Sequence, residues 1–317
     1  MYQKEDLLRI FSVRIRTVLS RVSLDYDLLQ EVRLRINAPL IIVYDNKEYY
    51  ITSHSQMTNQ AQDLFVVNKN EIRETMEYIS NFSLYAFEDE IRQGFITVQG
   101  GHRVGIAGKA IVEDGKVKSI NHISFINVRL SHQVIGCADL VMPYIYATAN
   151  NEINHTLIIS PPRCGKTTLL RDIVRQVSDG SKNHLGQSVG VVDERSEIGA
   201  CYMGVPQNYL GIRTDILDCC PKAVGMLMLI RSMSPRVIAV DEVGSVEDMN
   251  AIEYVLNCGC KLIATVHGNS IEDIRRKPVL KGLVENQIFE RYIILNNEVK
   301  VGTVDRVCNQ TGKILFG

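Results

Sequence analysis

The chain has no run approaching the roughly 18–20 consecutive apolar residues that a membrane-spanning helix needs. Its opening, Met1-Tyr-Gln-Lys-Glu-Asp6, leads into an amphipathic stretch and not into the apolar core of an export signal. The expectation is a cytosolic protein whose membrane association, if any, runs through a partner or a surface contact. Charge of one sign is also missing: 35 Lys and Arg face 36 Asp and Glu, a formal net charge of −1. That balance carries no strong nucleic-acid signal, since a polyanionic partner would need a local basic patch. The eight cysteines lack both the paired C-x-x-C spacing of a zinc framework and the pattern of a secreted disulfide lattice. Cys219 and Cys220 are adjacent, and Cys258 and Cys260 are two apart, so reduced and mostly buried thiols are expected. Internal repeats and low-complexity tracts are absent as well.

What is present is an ordinary globular mixture, 45% apolar and 22% charged over 317 residues. At about 100–200 residues per domain this length predicts two domains. Residues 3–22 carry apolar positions at roughly helical spacing. Residues 31–36 alternate as a strand does, and residues 40–44 and 48–52 flank Asp45-Asn46-Lys47 as a hairpin. Asn68 followed by Glu71 is a cap for a helix running to about Phe82. Asp114-Gly115 is a hairpin turn, because that pair accepts the positive φ of a type I′ turn, and a strand follows at 125–130. These signals describe a smaller α+β domain with mostly antiparallel strands. The polar stretch 147–152 sets the boundary, giving domains 1–148 and 149–317. Beyond it, apolar runs at 156–159, 189–192, 237–240, 262–266 and 292–295 alternate with helical segments, the mark of a parallel sheet covered on both faces. The fold class expected is α/β: a C-terminal RecA-like P-loop core with a mostly parallel sheet, preceded by the α+β domain.

The run from Leu157 to Leu170 reads as strand, loop and helix start, and Gly165-Lys166-Thr167 closes a Walker A element. Backbone N–H groups of Ser160, Pro161, Pro162, Arg163, Cys164, Gly165 and the helix start through Thr168 (the prolines excepted) form the cradle for a phosphate, aided by the helix dipole. Lys166 sets a cation against the β/γ oxygens, and the Thr167 hydroxyl is a ligand for Mg²⁺. The first motif position is Ser160 and not glycine, which carries a conformational cost if φ there must be positive.

Two more strands end in carboxylates. Residues 235–242 are an apolar strand closing on Asp241 and Glu242, a Walker B arrangement in which Asp241 holds Mg²⁺ through water and Glu242 polarises the attacking water. Val191-Val192 leads into Asp193, Glu194, Arg195 and Glu197. A further strand ends in Thr265-Val-His267-Gly-Asn269-Ser270, where His267 or Asn269 can contact a γ-phosphate. Acidic strand ends share the crevice of the phosphate loop in an open α/β sheet.

The order of these elements resembles the secretion ATPase superfamily of type II and type IV secretion ATPases and pilus retraction motors. Residues 192–197 look like its Asp box, 236–242 its Walker B strand and 265–270 its His box. A narrower resemblance is to the stage III sporulation protein AA family. It is carried by Glu31-Val-Arg-Leu-Arg35, Gly101-His-Arg-Val-Gly105, Asn127-Val-Arg-Leu130, Pro161-Pro-Arg-Cys-Gly-Lys-Thr-Thr168, Val192-Asp-Glu-Arg-Ser-Glu-Ile198 and Leu210-Gly-Ile-Arg-Thr-Asp215. The resemblance implies an ATP- and Mg²⁺-dependent hydrolase working as a ring, usually a hexamer. It also implies membrane proteins of the mother cell–forespore channel as partners, at the mother-cell side of the forespore membrane. It points to Arg103, Arg129 and Arg195 as arginines that stabilise transition-state charge, beside the catalytic Glu242, Glu197 and His267. Arg213 lies in a family-like stretch without a derivable role. Two other classes compete: a P-loop ATPase handling single-stranded nucleic acid, and a nucleotide-gated scaffold with negligible turnover.

Overall fold

The computed structural model of the chain describes residues 4–82, 87, 90–91, 94–147, 152–296 and 302–317. Contacts divide it into two compact units, Met1–His132 and Gln133–Gly317. The polar stretch used to place a boundary at 148/149 lies largely outside the described residues. Ala138, Val141 and Ile145 pack into the core of the second unit, which draws the division back to residue 133.

The first unit contains α1 (Lys4–Arg9), α2 (Val13–Arg21), β1 (Leu29–Arg35), β2 (Ala38–Pro39), β3 (Ile41–Tyr44), β4 (Lys47–Ile51), β5 (Met57–Thr58), β6 (Val66–Val67), α3 (Lys69–Ile79), β7 (Phe95–Val98), β8 (His102–Glu113) and β9 (Lys116–Arg129). The helical stretch expected at 3–22 is two helices. Ser12 caps the second by accepting from the Ile15 N–H, while its own N–H leaves the helix for Thr75 Oγ1 at 3.1 Å. Asp45 and Asn46 sit at φ 48° and 60°, and Asp114 and Gly115 at 50° and 74°. Both pairs are two-residue turns, closing β3 on β4 and β8 on β9. Asn68 and Glu71 form a reciprocal capping box at the start of α3. The seven-stranded antiparallel sheet runs β5-β4-β3-β1-β9-β8-β7. Its inner face buries Val32, Leu34, Val104, Ile106, Ile126 and Val128.

The second unit continues with α4 (Met142–Ile145), β10 (Thr156–Ser160), α5 (Lys166–Asp179), β11 (Val189–Asp193), β12 (Thr214–Asp218), α6 (Lys222–Met233), β13 (Val237–Val240), α7 (Val246–Asn257), β14 (Lys261–His267), α8 (Ile271–Arg276), α9 (Lys281–Glu285), β15 (Arg291–Asn296), β16 (Thr303–Asn309) and β17 (Ile314–Phe316). They build an eight-stranded sheet in the order β12-β11-β13-β14-β10-β15-β16-β17, parallel from β12 to β15 and antiparallel beyond. Strands β10, β11 and β13 are buried along their whole length. Leu157, Ile159, Val240 and Tyr292 belong to one core, and Ile158, Leu170, Val191 and Ile293 to the other, as continuous apolar strands between two helical layers require. The order sets β14 between β10 and β13, so the polar carboxyl ends of all three strands share one edge.

Candidate functional site

The phosphate loop follows β10 and ends where Gly165, at φ 82°, caps α5. Within it Arg163 (60°) and Gly165 have positive φ, while Cys164 between them does not, an alternation that turns successive N–H groups to one side. Ser160 is fully buried in the strand and is not among the residues with positive φ. The conformational cost expected there is therefore absent. Arg163 is the non-glycine residue that carries it. Ser160 Oγ donates to the Pro161 carbonyl at 2.8 Å, and the Ser160 carbonyl accepts the Gly268 N–H at 3.1 Å. Cys164 is buried with Sγ 3.5 Å from the Pro162 carbonyl. Thr168 lies in the first turn of α5, and its carbonyl faces Cys137 Sγ at 3.6 Å.

Across β14 from this loop, Asp241 and Glu242 follow β13. Lys166 Nζ stands 2.5 Å from Glu242 Oε1 and 3.6 Å from Asp241 Oδ1. Thr167 Oγ1 donates to Asp241 Oδ2 at 2.5 Å. His267 Nε2 lies 3.1 Å from the same Glu242 Oε1, and Arg195 Nη1 lies 3.0 Å from Glu242 Oε2. Burial pushes the Glu242 carboxyl up, but Lys166, Arg195 and His267 together hold it below the usual carboxylate range. Glu242 itself takes φ 55°. That strained backbone is fastened by Thr265, whose Oγ1 accepts the Glu242 N–H at 2.9 Å and donates to Asp241, while its carbonyl accepts the Val243 N–H at 2.9 Å. Thr265 lies in the stretch 265–270, where its identity alone gives no sign of these contacts.

A third strand end completes the crevice, which is lined by Asp193, Glu194, Arg195, Glu197, Lys222, Asp241 and Glu242. Lys222, at the start of α6, is ion-paired with Glu194 and was not foreseen. A lone lysine after a proline gives no sequence signal. Asn269 is not joined to Glu242; its N–H bonds the Asp273 carboxylate at 3.1 Å at the start of α8. Arg103 and Arg129 belong to the first unit, where they oppose each other across β8 and β9, and the Arg103 guanidinium lies 3.5 Å from the centroid of the Phe95 ring. Arg213 Nη1 donates to the Ser178 carbonyl at 2.9 Å, at the end of α5.

This α/β architecture is the fold of the secretion and pilus-motor ATPases. The pilus retraction motor PilT, solved with bound ADP, superposes with a TM-score of 0.58 at 12% identity, over 96% of this chain and 82% of that one. The Legionella pneumophila ATPase DotB gives 0.53 at 15%, over 88% of this chain and 74% of its own. The chain belongs to the family described as sporulation stage III, protein AA, whose model matches residues 1–315. Stage III sporulation protein AA of Bacillus subtilis (strain 168) is 42% identical over 287 residues, 90% of this chain and 89% of that protein. The resemblance read from the motifs is borne out.

Proposed function

We propose that this sporulation protein is an Mg²⁺-dependent ATP hydrolase that powers assembly of, or transport through, the mother cell–forespore channel. The observation that carries the reading is the direct meeting of Lys166 and Thr167 with Asp241 and Glu242. The donors fit the metal. Thr167 Oγ1 and Asp241 Oδ2 are adjacent hard oxygens, and no group of three or more His, Cys, Asp or Glu among the described residues makes a self-sufficient metal cage. Mg²⁺ of this kind is held by one or two protein oxygens together with nucleotide phosphates. When bound, it neutralises charge on the β- and γ-phosphates.

The chain's own residues divide the remaining work. Lys166 exchanges Glu242 for the phosphates. Glu242, released on its Oε1 side, orients the attacking water and accepts its proton, with Arg195 on Oε2 and His267 on Oε1 keeping it anionic and aimed. Glu197 lines the same crevice, and Arg103 and Arg129 are candidates to reach developing phosphate charge from a neighbouring subunit. A ring, in the hexameric form of secretion motors, is the assembly in which such arginines work, and the PilT structure with ADP supports nucleotide as its ligand. Partners at the forespore membrane would hold the ring in place from the mother-cell cytoplasm; no helix among the described residues is long and apolar enough to cross a membrane. The scaffold alternative rested on Ser160, and the negative φ of Ser160 removes that support.

The test is hydrolysis by the full chain and by Lys166→Ala, with mass measured in the presence of nucleotide. Loss of one preorganised cation from the phosphates should lower turnover by about 10²-fold or more, and sporulation should fail with it. Unchanged hydrolysis in Lys166→Ala would show the reading to be wrong.

A further inference from the structure

Residues 193–199 bring Arg195 to Glu242 and Glu197 to the crevice, yet their backbone is not one that holds itself. Ser196 sits at φ 52°, and Ala200, immediately after the turn, at 49°, left-handed conformations that L-residues leave unless their surroundings fix them. The turn is gripped on both edges. On one edge, the Asp193 carboxylate accepts three successive backbone N–H groups: Glu197 on Oδ1 at 2.8 Å, and Ile198 and Gly199 on Oδ2 at 2.9 and 2.8 Å. On the other, Arg171 Nη2 donates to the Glu197 carbonyl at 2.6 Å and Nε to the Ile198 carbonyl at 2.8 Å. Asp193 is 2% exposed and Arg171 8%. Burial pushes the Arg171 guanidinium down, and Asp193 is foremost among the groups that oppose this.

We propose that Arg171 and Asp193 are paired positioning residues that hold the 193–199 turn in register with Glu242 and tie it to the phosphate-loop helix. This rests on the ATPase reading above. Arg171 stands five residues after Lys166 on α5, so a displacement of the helix start on phosphate binding moves the guanidinium and, through it, the peptide units that carry Glu197 and follow Arg195. Neither residue touches a reacting atom. Lysine, a point charge on a flexible stem, does not reproduce the fixed geometry in which the planar guanidinium meets these two carbonyls. Asparagine cannot replace Asp193, because its NH₂ would confront the N–H groups of Ile198 and Gly199 that the second oxygen now accepts.

The experiment measures amide exchange in protein freed of nucleotide, together with ATP turnover and ADP affinity, for the full chain, Arg171→Lys and Asp193→Asn. Exchange at residues 197–199 should quicken by about tenfold or more as the turn opens locally. Turnover should fall by about 10- to 100-fold through misplacement of Arg195 and Glu197, with ADP affinity within about threefold of the parent because the phosphate loop is intact. At pH 7, above the range in which Asp193 takes up its proton, the melting temperature should stay close to that of the parent. Asn208→Ala removes a donor to the same Ile198 carbonyl, 2.9 Å away, from outside α5. It should shift exchange and turnover in the same direction by less, and it serves if either clamp variant fails to fold. Unchanged exchange at 197–199 in the folded variants overturns the clamp, as does a parallel fall of melting temperature, ADP affinity and turnover. If the parent chain hydrolyses no ATP, the functional reading fails, and exchange in nucleotide-free protein still decides the clamp.

Discussion

Glu242→Gln should tighten the binding of ADP. The Lys166 side chain is 9% exposed and that of Glu242 is 21%, and the two meet at 2.5 Å. A phosphate group that binds Lys166 competes with this carboxylate for the ammonium. A charge-assisted hydrogen bond is worth about 1.5–3 kcal/mol net, and the substitution does not recover all of it. Asp241 remains 3.6 Å from Lys166 and keeps part of the attraction, and the glutamine carbonyl keeps a neutral bond. Roughly half is released, about 0.8–1.5 kcal/mol, which corresponds to a Kd about 4- to 12-fold lower. Removing a negative charge beside the phosphates acts in the same direction. The assay is titration of a fluorescent ADP analogue in excess EDTA, which keeps divalent metal away from Asp241; ADP and not ATP is used so that lost hydrolysis does not masquerade as affinity. Because Lys166, Arg195 and His267 hold the Glu242 carboxyl below the usual range, the contrast should persist down to about pH 5. An unchanged or weaker Kd in Glu242→Gln would refute the competition between carboxylate and phosphate for Lys166.

Ser160→Gly restores the glycine of the motif, but it should leave ADP affinity within about twofold and lower stability by about 0.5–1 kcal/mol, since Ser160 is extended and bonds the Pro161 carbonyl; a gain in affinity in the same titration would contradict this. Asp193 gives a pH signature. Burial first, with Asp218 adding, raises its carboxyl from 3.8 to about 6 against the N–H groups of residues 197–199. The folded form then binds the proton more tightly than the unfolded chain, so this contribution is full below pH 3.8 and disappears as pH rises through 6. In urea unfolding, the stability deficit of Asp193→Asn against the parent should narrow by about 2 kcal/mol between pH 4.5 and 7; a constant or widening deficit would count against it.

Legibility in the sequence followed the physics of each element. The buried parallel strands announced themselves because β10, β11 and β13 are apolar at every position, and the turns at 45–46 and 114–115 because few residues other than Asn, Asp and Gly tolerate their φ. The edge strand β12, Thr214-Asp-Ile-Leu-Asp218, escaped because a partly exposed edge needs no continuous apolar run. The break at Ser12 was hidden because the helical spacing continues through it and only the distant Thr75 reveals why the chain bends. In the candidate site, the residues proposed to meet phosphate or water carry motif identities and are legible in the sequence. Residues that hold other residues are not. Thr265 and Arg171 act through long-range bonds, chiefly to backbone, and nothing in a sequence pattern marks such bonds.

The missing glycine shows how motif and geometry part company. A Walker A consensus asks for glycine at its first position and leaves the fourth free, and this chain has Ser160 and Arg163 there. The structure assigns positive φ to the fourth position and not to the first. A left-handed arginine costs about 1–2 kcal/mol relative to its preferred regions, and such strain persists only where neighbouring structure fixes it. Here the loop is fixed at both ends: Ser160 is pinned within β10 opposite His267, and Gly165 opens α5. With both ends held, the turn between them has to place its bend at Arg163, whose side chain is exposed and free to leave the loop. The departure at Ser160 therefore carries no left-handed strain, and the left-handed positions of the loop are Arg163 and Gly165.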